Sequence, residues 1–164
     1  MYDRVASSMA VAHCMIIRGL NSVYLQAPHI QSKDEAAFVQ YAMRWCWEIE
    51  VHHDGEENGF FPAVEELTGE KGVMNANIEQ HAAFHDGVSV LHTYLQSVAD
   101  GKEKYDGNRI TGLIDSFGEI LTQHLADEIP SLQNLRRFGD EKMALLEQRM
   151  LELDAKNIVS SFEW

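Results

Sequence analysis

The sequence predicts an all-α protein: an up-and-down four-helix bundle with an additional amphipathic helix at its C-terminal end. Three observations predict it. Four long stretches repeat apolar residues at spacings of three and four, and no stretch alternates polar and apolar residues as a half-buried strand does. The connections between the periodic stretches are short and marked by Pro, Gly, Asn and Asp. At 164 residues the chain reads as a single domain, with the bundle core over about 3–130 and a C-terminal extension over 131–164.

The first helix is expected over residues 3–26, where Val5, Met9, Ala12, His13, Ile16, Ile17 and Leu20 share a face. Ala27-Pro28 ends it, because a residue before proline avoids helical geometry. Ser32-Lys33-Asp34-Glu35 has the form of a capping box, with Ser32 as N-cap. The second helix follows through Phe38, Tyr41, Ala42, Trp45, Ile49, His52 and Glu56, and Phe60-Phe61-Pro62 opens a connection running to Gly72. The third helix begins near Asn75 or Asn77 and places Ile78, His81, Ala82, His85, Val88, His92 and Leu95 on one face. Turn signals follow at Asp100-Gly101 and Asp106-Gly107-Asn108. The fourth helix carries Ile110, Leu113, Ile114, Phe117, Ile120, Leu121, His124 and Glu128, and Pro130 stops or kinks it. Met143, Leu146, Met150 and Leu153 form one side of a final helix, packed on the outside of the bundle or free as a protein contact surface over 141–153.

The net charge of −13 argues against nucleic-acid backbones and anionic membrane surfaces, both of which need clustered Lys and Arg. The apolar runs are too short to span a membrane. Met1-Tyr2-Asp3-Arg4 lacks the charged head and apolar body of a secretory signal, so a cytoplasmic protein is expected. Cys14 and Cys46 form no Cys-x-x-Cys pair and read as small buried hydrophobes.

Chemistry concentrates in Val51-His52-His53-Asp54-Gly55-Glu56-Glu57. His52/Glu56 and His53/Glu57 are two imidazole–carboxylate pairs at helical spacing, a ligand mix suited to iron, zinc or manganese. His52 and Glu56 continue the stripe of Trp45 and Ile49. His53 and Glu57 continue Cys46 and Glu50, a more polar line. The first pair is therefore expected to face inward and the second to supply outer groups or an alternative register. His81 and His85 form an i, i+4 pair in the third helix, and His124 and Glu128 repeat the His-x-x-x-Glu spacing in the fourth. Counted from the turn region between them, His85 and His124 lie level, each on the order of 22–24 Å away. His13 lies roughly 20 Å from its helix end and His52 roughly 30 Å from the Ser32 cap, a mismatch that residues 27–31 must absorb.

His13, His52, His81, His85, His124, Glu56 and Glu128 would form a badly destabilised core without a metal, since a buried carboxylate needs a partner. If both carboxylates bridge and an oxide or hydroxide is shared, these groups fill all but one position of two octahedral ions. The remaining position suits a small molecule. A ferritin-type site needs two Glu-x-x-His motifs, of which only Glu50-Val51-His52-His53 fits, and the His-Glu-x-x-His motif of zinc hydrolases is absent.

With these motifs in order, His13, then His52-His53-x-x-Glu56-Glu57 with Phe61-Pro62, then His81-x-x-x-His85 and His124-x-x-x-Glu128, the chain resembles the hemerythrin-like, or HHE cation-binding, family. The stretch around Ile16-Ile17-Arg18-Gly19-Leu20-Asn21 is similar to its fungal members. The resemblance implies a four-helix bundle holding a non-haem di-iron centre with a bridging oxide or hydroxide. It implies His13, His52, Glu56, His81, His85, His124 and Glu128 as ligands. The classical oxygen carriers have an aspartate five residues after the last-helix histidine, whereas this chain has Glu128 four residues after His124. That departure favours iron or oxygen sensing and redox chemistry over oxygen transport. Dioxygen or a related small oxidant is the expected partner, with His53, Glu57 and Asp127 as surrounding groups. The alternatives are a di-iron oxidase or oxygenase acting on a small organic substrate, and an iron-responsive binding module.

Overall fold

A computed structural model describes residues 4–160, with side chains as far as Leu153. The described residues form seven α-helices: α1 (Arg4–Gln26), α2 (Glu35–Gly55), α3 (Phe61–Thr68), α4 (Asn75–Ala99), α5 (Gly107–Asp115), α6 (Gly118–Asn134) and α7 (Asp140–Ser160). A π-helical turn, Glu56–Phe60, joins α2 to α3 without a break, and 3-10 turns follow α1 (Ala27–His29) and α6 (Leu135–Phe138). The expected start of the first helix at residue 3 and the tail at 161–164 lie outside the described residues.

Side-chain contacts fix the topology. Gly19 meets Trp45 while the His13 and His52 rings lie 5.4 Å apart, so numbering runs in opposite directions along α1 and α2. His53 beside His81 and Glu50 beside His92 make α2 and α4 antiparallel. Gly87 against Phe117 and His81 against His124 do the same for α4 and the α5–α6 pair. Ala27 against Gly107 and His13 against Glu128 close the ring back to α1. The fold is the expected up-and-down bundle, with α5 and α6 together as its fourth rod.

Several local expectations are corrected. The first α-helix ends at Gln26, as expected, and Pro28 sits in a 3-10 turn that extends the rod to His29. The second helix starts at Glu35 with Asp34 as N-cap, and no side chain caps it. The turn closed by Asp34 N–H to the Gln31 carbonyl takes the place of the Ser32 cap. The longer first rod and later second start remove the mismatch between His13 and His52. The segment after Glu56 is helical as far as Thr68, through the π turn and α3. Pro62 has no N–H and its ring needs room at the carbonyl four residues back, so the helix widens in the turn before it. The Phe61 N–H accordingly bonds the Glu56 carbonyl, five residues back. The fourth rod breaks at Ser116-Phe117, where Phe117 turns into the core, stacks on Trp45 and packs on Gly87. Pro130 lies inside α6 without ending it.

The apolar core has two parts. One runs along the bundle through Ile16, Val39, Ile49, Phe84, Leu91 and Leu125. The other lies at the opposite end, where Met9, Phe60, Phe61 and Leu132 pack with Leu146 and Met150 of α7. The predicted stripe of α7 thus packs on the bundle and leaves Leu145 and Leu151 outward. Among the described residues no helix is long and apolar enough to cross a membrane.

Gly19 lets α1 approach the Trp45 indole, whose N–H donates to the Ile16 carbonyl. A Cβ at Gly19 would lie 2.3 Å from Trp45 Cδ1. Gly112, in mid-α5, has nothing within 4 Å of an added Cβ. Gly19→Val is expected to destabilise the chain by about 1–3 kcal/mol. Gly112→Ala is expected to stabilise it by about 0.5–1 kcal/mol. Urea unfolding midpoints check both, and equal midpoints for the two variants would contradict this packing.

Candidate metal centre

Between the two apolar parts lies a layer of histidine and glutamate. His13 comes from α1, His52 and His53 from the end of α2, Glu56 from the π turn, His81 from α4, and His124 and Glu128 from α6. His13, His53, Glu56, His81, His124 and Glu128 are buried, and His52 is 18% exposed. Potential ligand atoms of His53, Glu56, His81 and His124 lie within 4.8 Å of one another, as do those of His13, His52 and Glu56. Glu56 belongs to both groups. Its Oε1 is 3.2 Å from His52 Nε2 and its Oε2 is 3.5 Å from His81 Nε2. Glu128 spans the groups from the other side, with Oε2 3.2 Å from His13 Nε2 and 3.9 Å from His124 Nε2.

Four rings are turned by hydrogen bonds at their outer nitrogens. Nδ1–H of His13 donates to the Leu125 carbonyl at 2.8 Å, and Nδ1–H of His53 donates to the Ile49 carbonyl at 2.9 Å. His81 Nδ1–H donates to Glu57 Oε1 at 2.8 Å. His124 Nδ1 lies 3.1 Å from Gln80 Oε1. The Gln80 amide N–H donates to Asp127 Oδ2, which can only accept. That contact turns the amide oxygen toward His124 and places the His124 proton on Nδ1. The Nε2 lone pairs then face inward, the arrangement in which an outer partner fixes tautomer and orientation for metal binding. His81 and His124 consequently present lone pairs to each other across 3.1 Å, which is repulsive unless a cation or proton lies between. His13 Nε2, His52 Nε2, His53 Nε2 and both Glu128 oxygens have no hydrogen-bond partner among the described residues. A buried donor set of this kind fits cations.

Burial pushes His52 down to about 3, with His13 and His81 adding to the effect. It pushes His124 down to about 3 as well, helped by His81. His53 falls well below its ordinary value, chiefly through burial, and His81 is lowered by burial against the opposing effect of its hydrogen bond to Glu57. These rings are neutral at pH 7, the form that binds metal.

The structure gathers six of the seven nominated ligands. The seventh, His85, is 65% exposed, with Nδ1 3.7 Å from Asp86, and lies outside both groups. The buried face of α4 is Asn77, His81, Phe84, Val88, Leu91 and Leu95. Phe84 takes the inward place after His81, and His85 is turned about 100° further round the helix. His81 rather than His85 lies level with His124, being eighteen residues from the end of α4 while His124 is seventeen from the start of α5. His53, expected outside the ligand set, lies among the ligand groups. The heptad line Val39, Cys46 and His53 is buried, so the inward face of α2 is wide enough for both histidines. Glu57 stands at the edge, 37% exposed, and Asp127 acts through Gln80. Gln80 carries no motif that would mark it in the sequence.

The profile of the family described as "Hemerythrin HHE cation binding domain" matches residues 5–129. This chain belongs to that cation-binding family. It is similar to the "Dimeric xanthone biosynthesis cluster protein R11" of Cryptosporiopsis sp. (strain 8999), with 35% identity over 140 residues, covering 85% of this chain and 53% of the relative. The chain thus spans about half the length of that curated relative. No solved structure matches it.

The depressed histidines set a pH dependence for the metal-free chain. His52 and His124 stay neutral in the fold down to about 3, whereas the unfolded chain protonates them below about 6.5. Stability is therefore full above about pH 6.5 and falls as pH drops toward 3, by up to about 1.4 kcal/mol per pH unit for each fully titrating ring. Thermal unfolding of metal-free protein should show Tm falling as pH drops from about 7.5 to about 5, across the histidine range. An unchanged Tm would contradict the neutral buried assignment.

Proposed function

We propose that the cluster holds two iron ions and that the pair binds, senses or reduces dioxygen or a related small oxidant. His13 and His52 would hold one ion, His53, His81 and His124 the other, with Glu56 and Glu128 shared. Bound iron would supply reversible one-electron chemistry, which imidazole and carboxylate side chains lack. The chain's own part is to orient four of the five rings by hydrogen bonds and to exclude bulk water. The hydrogen bonds from His81 to Glu57 and from His124 to Gln80 would tune ligand basicity.

The observation that carries the reading is the unequal division of imidazoles together with what lies beside the smaller share. With both carboxylates shared, the His13/His52 position has one imidazole fewer and is the less saturated. Next to it is a cavity of about 50 Å³ lined by Met9, His52, Gly55, Glu56, Phe60, Met150 and Leu153. Its size and mostly apolar wall suit an uncharged diatomic molecule. The printed name of the relative suggests another reading, oxidation of an organic substrate. The small cavity argues against it, because an organic molecule would need far more room beside the less saturated position.

Metal-free protein loaded with ferrous iron without oxygen should take up two ions per chain and develop a charge-transfer band when oxygen is admitted. His52→Ala, His53→Ala and Glu56→Ala should each lower the iron content. A single ion per chain, or a spectrum indifferent to oxygen, would contradict the reading. Recovery of the original spectrum on removing oxygen would favour holding or sensing over reduction.

A further inference from the structure

The cluster is approached from two sides of unlike chemistry. The small cavity on the His13/His52 side is covered by Met150 and Leu153 of α7. On the other side, between α2 and α4, a cavity of about 450 Å³ has His53 and His81 in its lining. Its inner wall is apolar, formed by Ile49, Phe84 and Val88. Its outer lining carries Glu50, Asp54, Glu57, Asp86 and His85, and neither lysine nor arginine lines it. His85 has no place in the buried cluster, and neither do Glu50, Asp54 and Asp86.

We infer that this acidic mouth is the route by which a hydrated divalent cation reaches the buried cluster, with the four carboxylates drawing it from solution and His85 receiving it on the way to His53 and His81. The inference rests on reading the cluster as a metal centre. A cleft lined by one sign of charge between low-dielectric walls focuses the field and raises the local concentration of the opposite ion. The cavity beneath α7 is about 50 Å³, with Glu56 as the carboxylate among its described lining residues, against four at the mouth. Carboxylate and imidazole are exchangeable ligands, suited to passing on a cation as its water is shed. Glu57 joins the two regions, because it is exposed at the mouth and its Oε1 accepts the His81 Nδ1–H. The mouth groups do not converge as the buried ones do. Among the described residues, the clusters with three or more ligand atoms within 4.8 Å of one another are the two buried groups, so the mouth conducts a cation instead of storing it.

The test separates rate from capacity. Metal-free full-length chain is mixed with ferrous iron without oxygen, uptake is followed by stopped flow, and bound iron is measured at saturation. Asp54→Asn/Asp86→Asn should slow uptake about tenfold at low ionic strength, a difference that shrinks as salt is raised. His85→Ala should also slow uptake. Both variants should bind as much iron at saturation as the unaltered chain. Asp34→Asn/Glu35→Gln, with the same charge change at the opposite end of α2, should leave the rate near that of the unaltered chain. Equal rates for the mouth and control variants would overturn the route while leaving the metal centre intact. Iron lost at saturation from His85→Ala would overturn it too, by making His85 a ligand. An unaltered chain that binds no iron would overturn the metal centre and the route together.

Discussion

Glu128 has no exposed surface, sits between His13 and His124, and neither of its oxygens has a hydrogen-bond partner among the described residues. An uncompensated carboxylate in such a place costs several kcal/mol, a sizeable share of the roughly 5–15 kcal/mol that hold a domain folded. His124 beside it cannot repay that cost by charging, because burial pushes that ring down to about 3. The layer of neutral inward-facing rings around Glu56 and Glu128 makes sense as a cation site, and the rest of the fold serves to hold it. In the absence of cations the same layer is the weak plane between two otherwise sound apolar clusters.

Each of those clusters positions one side of the layer. Trp45, fitted against Gly19 and Phe117, locks α1, α2 and the α5–α6 rod on one side. On the other, the π turn is the device that matters most. It carries the chain from α2 into α3 without a break, and His53, Glu56 and Phe60 stay on the buried face at spacings of three and four. α7 then closes that end: a Cβ at Gly59 would touch Leu153, and Met150 covers the small cavity beside His52. The result is a cluster covered by Met150 and Leu153 on the His13/His52 side and faced by carboxylates on the other.

The bundle was legible because four amphipathic periods and their turn signals agree with one another, and the histidines of all four rods fall on or beside the apolar stripes. The identity of two site residues was harder to read. His81 and His85 both look inward when α4 is judged by Ile78, Ala82 and Val88. Only the line of Phe84 and Leu91, weighed as the stronger hydrophobes, turns His85 outward. His53 looks outward when Cys46 and Glu50 are grouped as a polar line, although Val39 and Cys46 above it are buried. The π turn left a readable sign in Pro62, which follows the glutamates closely within a run where Phe60, Phe61 and Val64 keep the apolar pattern going. Gln80 was out of reach, since a side-chain hydrogen bond to a ligand ring leaves no pattern in sequence.

The most direct measurement is anomalous scattering at the iron edge from crystals of the iron-loaded protein. Two peaks flanked by Glu56 and Glu128 are predicted, one beside His13 and His52 and the other among His53, His81 and His124. A single peak, or a peak held by His85 with His53 turned away, would contradict the assignment of the centre.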